Sequence, residues 1–421
     1  MIETIHLQPG AVLQVCRDPR FKQGCLSFQL LRPMRREEAA MNALLPSVLL
    51  RGSRSCPDLR SITQRLDTLY GGAVGPLVRR VGDYQTTGLC CSFMDDRFAL
   101  PGDAVLAPMV EFLQELLLDY RQEQDAFLPS FVESEKKNLI STIESERNDK
   151  RLYAMNKLLR QMCQGDSFGL PRLGEVSDVA AITAQQLTEH YRTILRTSPI
   201  QMFYVGSASA QELANLIQPL LARLDRAPQV LPPQTAFHPC PATHTEERMD
   251  VSQGKLCMGF VTPVTNRDPD FAAAQVFNVI FGGGMTSKLF VNVREKRSLC
   301  YSIGSAYYST KGIVLVSAGI DFDQEQATRQ EVLAQLTACQ QGQISPVELT
   351  AAKEALLSSL RATHDSPGAI ESYYATAALS GLNMDVGQYM QAVEAVTLED
   401  VVRTAQQTQP HSTFFLKGAQ S

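Results

Sequence analysis

The sequence predicts an α+β fold of two duplicated domains, each a mainly antiparallel β-sheet covered on one face by helices. Three observations carry this expectation. The chain has 421 residues, more than a single hydrophobic core ordinarily serves. A proline-rich stretch divides it near the middle. The segments on either side of that stretch repeat one another.

The divide is "RAPQVLPPQTAFHPCPATHTEERMD", residues 226–250, with five prolines and no regular apolar period. That is the composition of a linker, so domains are expected at 1–225 and 251–421. Just before it, "SPIQMFYVGSASAQELANLIQPLLARLD" reads as a strand, a turn and an amphipathic helix. Gly52, Tyr70 and Gly88 each meet an identical residue 231 positions later, at Gly283, Tyr301 and Gly319. At that offset the strand-like "LSFQL" (26–30) faces "CMGFV" (257–261), and a helical stretch ending "SVLLRG" faces one ending "NVIFGG". Further on the register shifts by 14, and "EKKNLISTI" (135–143) matches "AKEALLSSL" (352–360), both apolar at helical spacing. Each half therefore reads strand, strand, helix, helix, strand, strand, several helices and a last strand. "SPIQMFYVGSA" and "HSTFFLKGA" supply the last strands.

Composition narrows the function classes. The chain is 44% hydrophobic and 20% charged, as a soluble globular protein is, and its net charge of −5 argues against a general nucleic-acid or anionic-membrane binder. Ten cysteines form no C-x-x-C pair, and they read as small buried hydrophobes of a reducing compartment. The adjacent Cys90 and Cys91 point to opposite faces of a strand. The N-terminal residues lack a signal-peptide pattern and no run of 18 apolar residues occurs, so a cytoplasmic location is expected. The charge runs "MRREEAA" and "ESERNDKR" read as solvated helix faces, and "AVLAPMVEFLQELLLDY" as a core helix.

"FGGGMTSKLFVNVREKRSLCY", residues 281–301, suggests a phosphate loop at first sight. It fails on spacing, because Lys288 has no glycine immediately before it and no hydroxyl residue immediately after it. Helix punctuation accounts for the glycines. Gly282 to Gly284 end one helix, and Thr286 or Ser287 caps the next, "KLFVNVREKRS".

The residues after those glycines resemble a known family. "FGGGMTSKLFVNVREKRSLCYSIGSAYYSTKGIVLVSAGI" is similar to the second domain of pitrilysin/insulinase-type zinc peptidases, the inverzincins, in its glycine turn, "S-[RK]-L-F", "R-E-x-x-x-L-x-Y-x-[IV]" and following hairpin. It looks most like the small bacterial two-domain branch, whose members pair as half-clamshells, and like members there that lack the zinc motif. Active relatives carry H-x-x-E-H on a first-domain helix and a downstream glutamate. The two histidines and that glutamate hold Zn²⁺, and the motif glutamate is the general base.

The equivalent stretch here is "AMNALLPSVLLRGS". The resemblance puts Ala43 and Ser47 at the histidine positions, Pro46 at the base position and Thr142 at the third-ligand position, with Glu144 close by. It thus implies no metal in this chain and no catalysis by the chain alone. It also implies a division of labour with a paralogous zinc-bearing partner, as a heterodimer enclosing a peptide chamber. Arg294 and Tyr301 would then bind the peptide substrate over the partner's zinc. Plainer readings stand beside this one. In these, Arg294 is a surface residue paired with Glu295 or a helix C-terminus, and Tyr301 is a core aromatic at the start of a hairpin. Its repeat partner Tyr70 lies where the family assigns no catalytic role, which favours that structural use. The chain is then a peptide-binding or scaffold homologue without proteolytic activity.

Overall fold

A computed structural model describes residues 2–419. The first half runs β1 (Ile2–Gln8), β2 (Ala11–Arg17), β3 (Gln23–Pro33), α1 (Arg36–Leu49), α2 (Leu59–Thr68), β4 (Ala73–Val81), β5 (Tyr84–Met94) and α3 (Leu106–Leu118). A small hairpin of β6 (Gln122–Glu123) and β7 (Ala126–Phe127) leads to α4 (Pro129–Asn148), α5 (Lys150–Met162), α6 (Val176–Ala181), α7 (Ala184–Thr197), β8 (Ile200–Gly206) and α8 (Ala210–Ala222). The second half runs β9 (His244–Met249), β10 (Gly254–Val261), α9 (Phe271–Phe281), a π-helical segment Leu289–Lys296, β11 (Ser302–Tyr308) and β12 (Ile313–Ile320). It ends with α10 (Glu325–Gln340), α11 (Pro346–Ala362), α12 (Pro367–Ser380), α13 (Val386–Ala395), α14 (Leu398–Gln407) and β13 (Gln409–Gly418).

The duplication is explicit in the sheets. The first has the order β1-β2-β8-β3-β5-β4 and the second β11-β12-β10-β13-β9. Read backwards, the second sheet matches β2-β8-β3-β5-β4 strand for strand. In both, the half's last strand inserts beside the middle strand. Pairing is antiparallel except between β2 and β8 and between β13 and β9, so the α+β class holds.

Two details correct the sequence reading. β1 has no counterpart, so the first half opens with three strands rather than two. The segment 226–250 is not linker throughout, because His244–Met249 pairs in parallel with β13. That strand, "HTEERM", lies at a sheet edge with four of its six residues exposed. An edge strand with little buried surface has no apolar alternation to reveal it.

Packing groups the chain into two compact units. One comprises the chain up to Glu144 with Leu170–Gln234 and His364–Leu379; the other comprises Ser145–Gly169, Thr235–Thr363 and the chain from Ser380. Consequently α5, from the first half, belongs to the second unit, and α12, from the second half, belongs to the first. Lys150 and Pro367, which begin these helices, are separated by the offset that relates "EKKNLISTI" to "AKEALLSSL". The two repeats have exchanged the same helix.

In the first unit Leu26, Phe28 and Leu30 of β3 and Leu89, Cys91 and Phe93 of β5 join the core shared with α1, α3, α7 and α8. The alternate residues Ser27 and Gln29 are also wholly buried. They hydrogen-bond Glu371 of α12, so helices lie on both faces of this sheet. In the second unit, Ala154, Leu158 and Met162 of α5 pack with Cys257, Leu315 and Phe414. The other side of β10 meets α9, with the Phe260 and Phe281 rings edge to face at 5.8 Å.

Candidate functional site

Helix α1 carries the positions that the sequence assigns to metal ligands. Ala43 and Ser47 are four residues apart and share one helix face. Ala43 is 5% exposed and Ser47 half-buried. Pro46 lies inside the helix and has no N–H to give the Asn42 carbonyl. Thr87 donates its hydroxyl to that carbonyl instead, at 2.7 Å, which removes the main penalty of an internal proline.

The Asn42 side chain is bonded in turn. Its Nδ2 donates to Gln85 Oε1 at 2.9 Å, and His190 Nε2 lies 2.7 Å from its Oδ1. An amide oxygen only accepts, so this ring nitrogen carries the proton. Burial pushes the His190 pKa down to about 4; Glu38 opposes the shift and Arg32 adds to it. The histidine tied to α1 is therefore neutral at pH 7 and is used to brace the helix.

The third-ligand position, Thr142, is exposed on α4 and donates its hydroxyl to the Asn138 carbonyl at 2.9 Å. Glu144 is exposed two residues on. Glu135, on the same helix, is paired with Arg51 at 3.3 Å. A buried methyl, a pyrrolidine and two hydroxyls are not the imidazole, thiolate or carboxylate set that holds zinc, nor is there a general base among them. The residues at these positions do not fit the metal.

The second motif is built differently. Gly282 follows α9, and a Cβ there would come within 2.8 Å of Leu289 Cδ1. Ser287 Oγ accepts from the Phe290 amide at 3.3 Å, the expected cap, although the segment it starts is π-helical. Lys288 is 8% exposed at its side chain and pairs with Glu348 at 2.8 Å. Burial alone would raise the Glu348 carboxyl; the Lys288 ammonium and Ser345 outweigh it and hold the carboxyl low. Lys288 thus completes an internal ion pair, which settles its role against phosphate binding.

The wider π turn buries Leu289 and Val293 completely and leaves Arg294 beside them on the surface. Arg294 Nε donates to the Tyr301 carbonyl at 3.0 Å, and Nη1 pairs with Glu295 at 3.1 Å. Its guanidinium lies over the Phe290 ring, 4.6 Å from the centroid. Ser298, at φ 52°, turns the chain between them. The structure therefore brings Arg294 and Tyr301 together.

Tyr301 is 62% exposed, which corrects its reading as a core aromatic. Being at a strand start and apolar in part, it has the composition of a core residue but no cover. Its hydroxyl donates to the Asp321 carboxylate at 3.2 Å, and that charge raises the phenol pKa. Tyr301 thus stays a hydrogen-bond donor. Tyr70, its repeat partner, donates to Asp103 and accepts from the Leu100 amide at 3.0 Å.

Sequence reasoning missed one cluster with ligand-type donors. Among the described residues, His244, Glu246 and Glu325 bring three such atoms within 4.8 Å of one another. Lys417 already pairs with Glu246, and Arg329 lies 3.7 Å from Glu325. With two cations on its carboxylates the group reads as a salt-bridge cluster. No sequence signal could have joined it, since His244 lies in the presumed linker and Glu325 begins α10. Among the described residues no helix is long and apolar enough to cross a membrane.

Residues 181–356 match the family described as peptidase M16 inactive domain. Over 411 residues the chain is 29% identical to a Bacillus subtilis (strain 168) protein called probable inactive metalloprotease YmfF, covering 98% of this chain and 96% of that one. It superposes on the crystal structure of a conserved protein from Enterococcus faecalis V583 with a TM-score of 0.93 at 26% identity, over 100% of this chain and 99% of that one. It also superposes on a peptidase M16 inactive domain from Pseudomonas fluorescens with a TM-score of 0.80 at 17% identity, over 99% and 98% of the two chains, a likeness of fold. By these matches the chain is a homologue of M16-type metalloproteases described as inactive.

Proposed function

We propose that this chain is the non-zinc subunit of a heterodimeric M16 metallopeptidase. Its repeats, 1–225 and 251–421, form one side of a peptide chamber in the cytoplasm. A paralogous subunit carries H-x-x-E-H and its zinc, which supplies the activated water. The observation that supports this reading is the surface pair Arg294 and Tyr301. The guanidinium is held by a ring and a carbonyl, with fixed donors suited to a peptide carbonyl or carboxylate. The phenol keeps its proton and can donate to an oxyanion developing on the substrate.

The reading is tested by purifying the chain with and without an H-x-x-E-H paralogue encoded beside it. Peptide cleavage is expected only, or far faster, from the mixture. Tyr301→Phe should lower kcat of the pair about 100-fold, the usual effect of removing one oxyanion donor. Arg294→Ala should lower kcat/KM at least about tenfold while zinc content stays the same. Equal cleavage with and without this chain, or an Arg294→Ala pair as active as the parent, would refute the proposal.

One observation favours a second reading. Arg294 and Tyr301 already have acidic partners, Glu295 and Asp321, within their own unit. A proteolytically inactive scaffold or peptide-binding homologue would need no more than that. It predicts peptide binding or none, with no gain in a partner's cleavage rate.

A further inference from the structure

We propose that Cys25 and Cys90 form a peroxide-responsive dithiol that closes to a disulfide between β3 and β5. None of the ten cysteines is bridged in this structure. These two lie diagonally across neighbouring strands, for Cys25 is opposite Ser92 and Ser27 is opposite Cys90. Their sulfurs are 3.6 Å apart. A disulfide needs about 2.05 Å, so the sulfurs must close by roughly 1.5 Å. Because diagonal partners sit about 7–8 Å apart at Cα, the two strands must also draw together locally. Cys91, the next residue, faces the opposite core and takes no part.

The surroundings divide the two roles. Cys25 is 4% exposed and Cys90 is half-buried, so an oxidant meets Cys90 first. The hydrogen bond from Cys25 favours the thiolate at Cys90 and lowers its pKa, with help from Arg79, against burial and the Glu371 carboxylate. The same bond, then burial, raises Cys25 and keeps it a thiol. An outer nucleophile thus stands beside an inner resolving group, the arrangement of a redox-sensing pair.

The chemistry balances with a hydroperoxide as oxidant. The Cys90 thiolate attacks one peroxide oxygen; the S–O bond forms, the O–O bond breaks, and the departing oxygen takes the proton Cys90 had lost. Cys25 then attacks the sulfenic sulfur. The S–S bond forms, the S–O bond breaks, and hydroxide leaves with the Cys25 proton as water. Two thiols have given two electrons to the peroxide, and a dithiol reductant restores them. Cys25 and Cys90 also pack with Ile370 and Tyr374 of α12, so the bridge forms beneath that helix.

The test uses the full chain. It is treated with hydrogen peroxide, capped with N-ethylmaleimide, digested and mapped by mass spectrometry without reduction. A Cys25–Cys90 linked peptide that dithiothreitol reverses is expected. Cys25→Ser should instead leave Cys90 as a sulfenic acid that dimedone traps, and Cys90→Ser should abolish the link. Cys90 fully alkylated at a dose that oxidises the half-buried Cys240 would overturn the proposal, as would a link from either thiol to Cys16. Should a variant fail to fold, the map of the unmodified sequence decides alone.

Discussion

Helices α5 and α12 occupy equivalent places in the two repeats and are held by opposite means. In the second unit α5 lies on apolar surface, with Ala154, Leu158 and Met162 against Cys257, Leu315 and Phe414. In the first unit α12 is anchored by Glu371, which is 1% exposed. Arg79 grips that carboxylate from both sides at 3.0 and 2.6 Å, and Ser27 adds a bond of 2.7 Å. Apolar packing tolerates small shifts and loses stability in proportion to the volume removed. A buried ionic anchor is specific in geometry and fails all at once when one partner goes. The duplication therefore kept the exchange of helices but not the chemistry that secures it.

The largest effect should come from breaking the ionic anchor. Glu371→Ala leaves Arg79, Ser27 and Gln29 facing a cavity, and should cost about 3–5 kcal/mol. Hydrogen exchange should show α12 losing protection while α5 keeps its own. Pairing Glu371→Leu with Arg79→Met should cost much less than Glu371→Ala, because no charge is stranded. Equal costs would mean that shape, not charge, holds the helix. Met162→Ala is the matching test of α5. It should cost about 2–3 kcal/mol and strip protection from α5 alone.

How much of this was legible depends on how far apart the partners lie in the chain. "LSFQL" announces a strand by alternation, and its polar residues look like a solvated face. They are buried because α12 covers them from more than 340 residues away. No local pattern records such a cover. Ala43, Pro46 and Ser47 were placed by resemblance on a helix that exists, but Thr87's rescue of the Asn42 carbonyl joins residues on different elements and leaves no trace in spacing. Arg294 and Tyr301 are seven apart, and there resemblance anticipated a contact that the structure contains. Its π-helical turn was not anticipated, since apolar spacing over so short a segment does not separate it from an α-helix.

Acid should also distinguish the units, by a smaller amount. His190 in the first unit titrates near 6.5 when unfolded and only near 4 when folded. Between these values the unfolded chain binds the extra proton, so stability falls as pH drops from about 6.5 through about 4 and levels off below. The loss should be about 2 kcal/mol at most, because the ring is only partly shielded from solvent. Urea unfolding followed by exchange in α1 and α7 measures it. His190→Gln, which keeps a donor for Asn42, should flatten that slope, and an unchanged slope would assign the acid loss elsewhere in the unit.

The smallest expected effect tests how tightly apolar docking is fitted. A Cβ on Gly259 would sit 2.1 Å from Met162 Sδ and 2.9 Å from its Cε. Both atoms end a flexible thioether, which can turn away where backbone could not. Gly259→Ala should therefore cost only about 1 kcal/mol, at the lower end of overpacking. Combined with Met162→Ala, the new methyl occupies part of the space that the thioether vacates. The double variant should then be more stable than the two single losses added together, by about 1 kcal/mol. Simple additivity in thermal unfolding would show that α5 has moved off the strand after Met162→Ala. In that case the apolar anchor, like the ionic one under α12, rests on a single residue, and the contrast between the two helices would lie in charge alone.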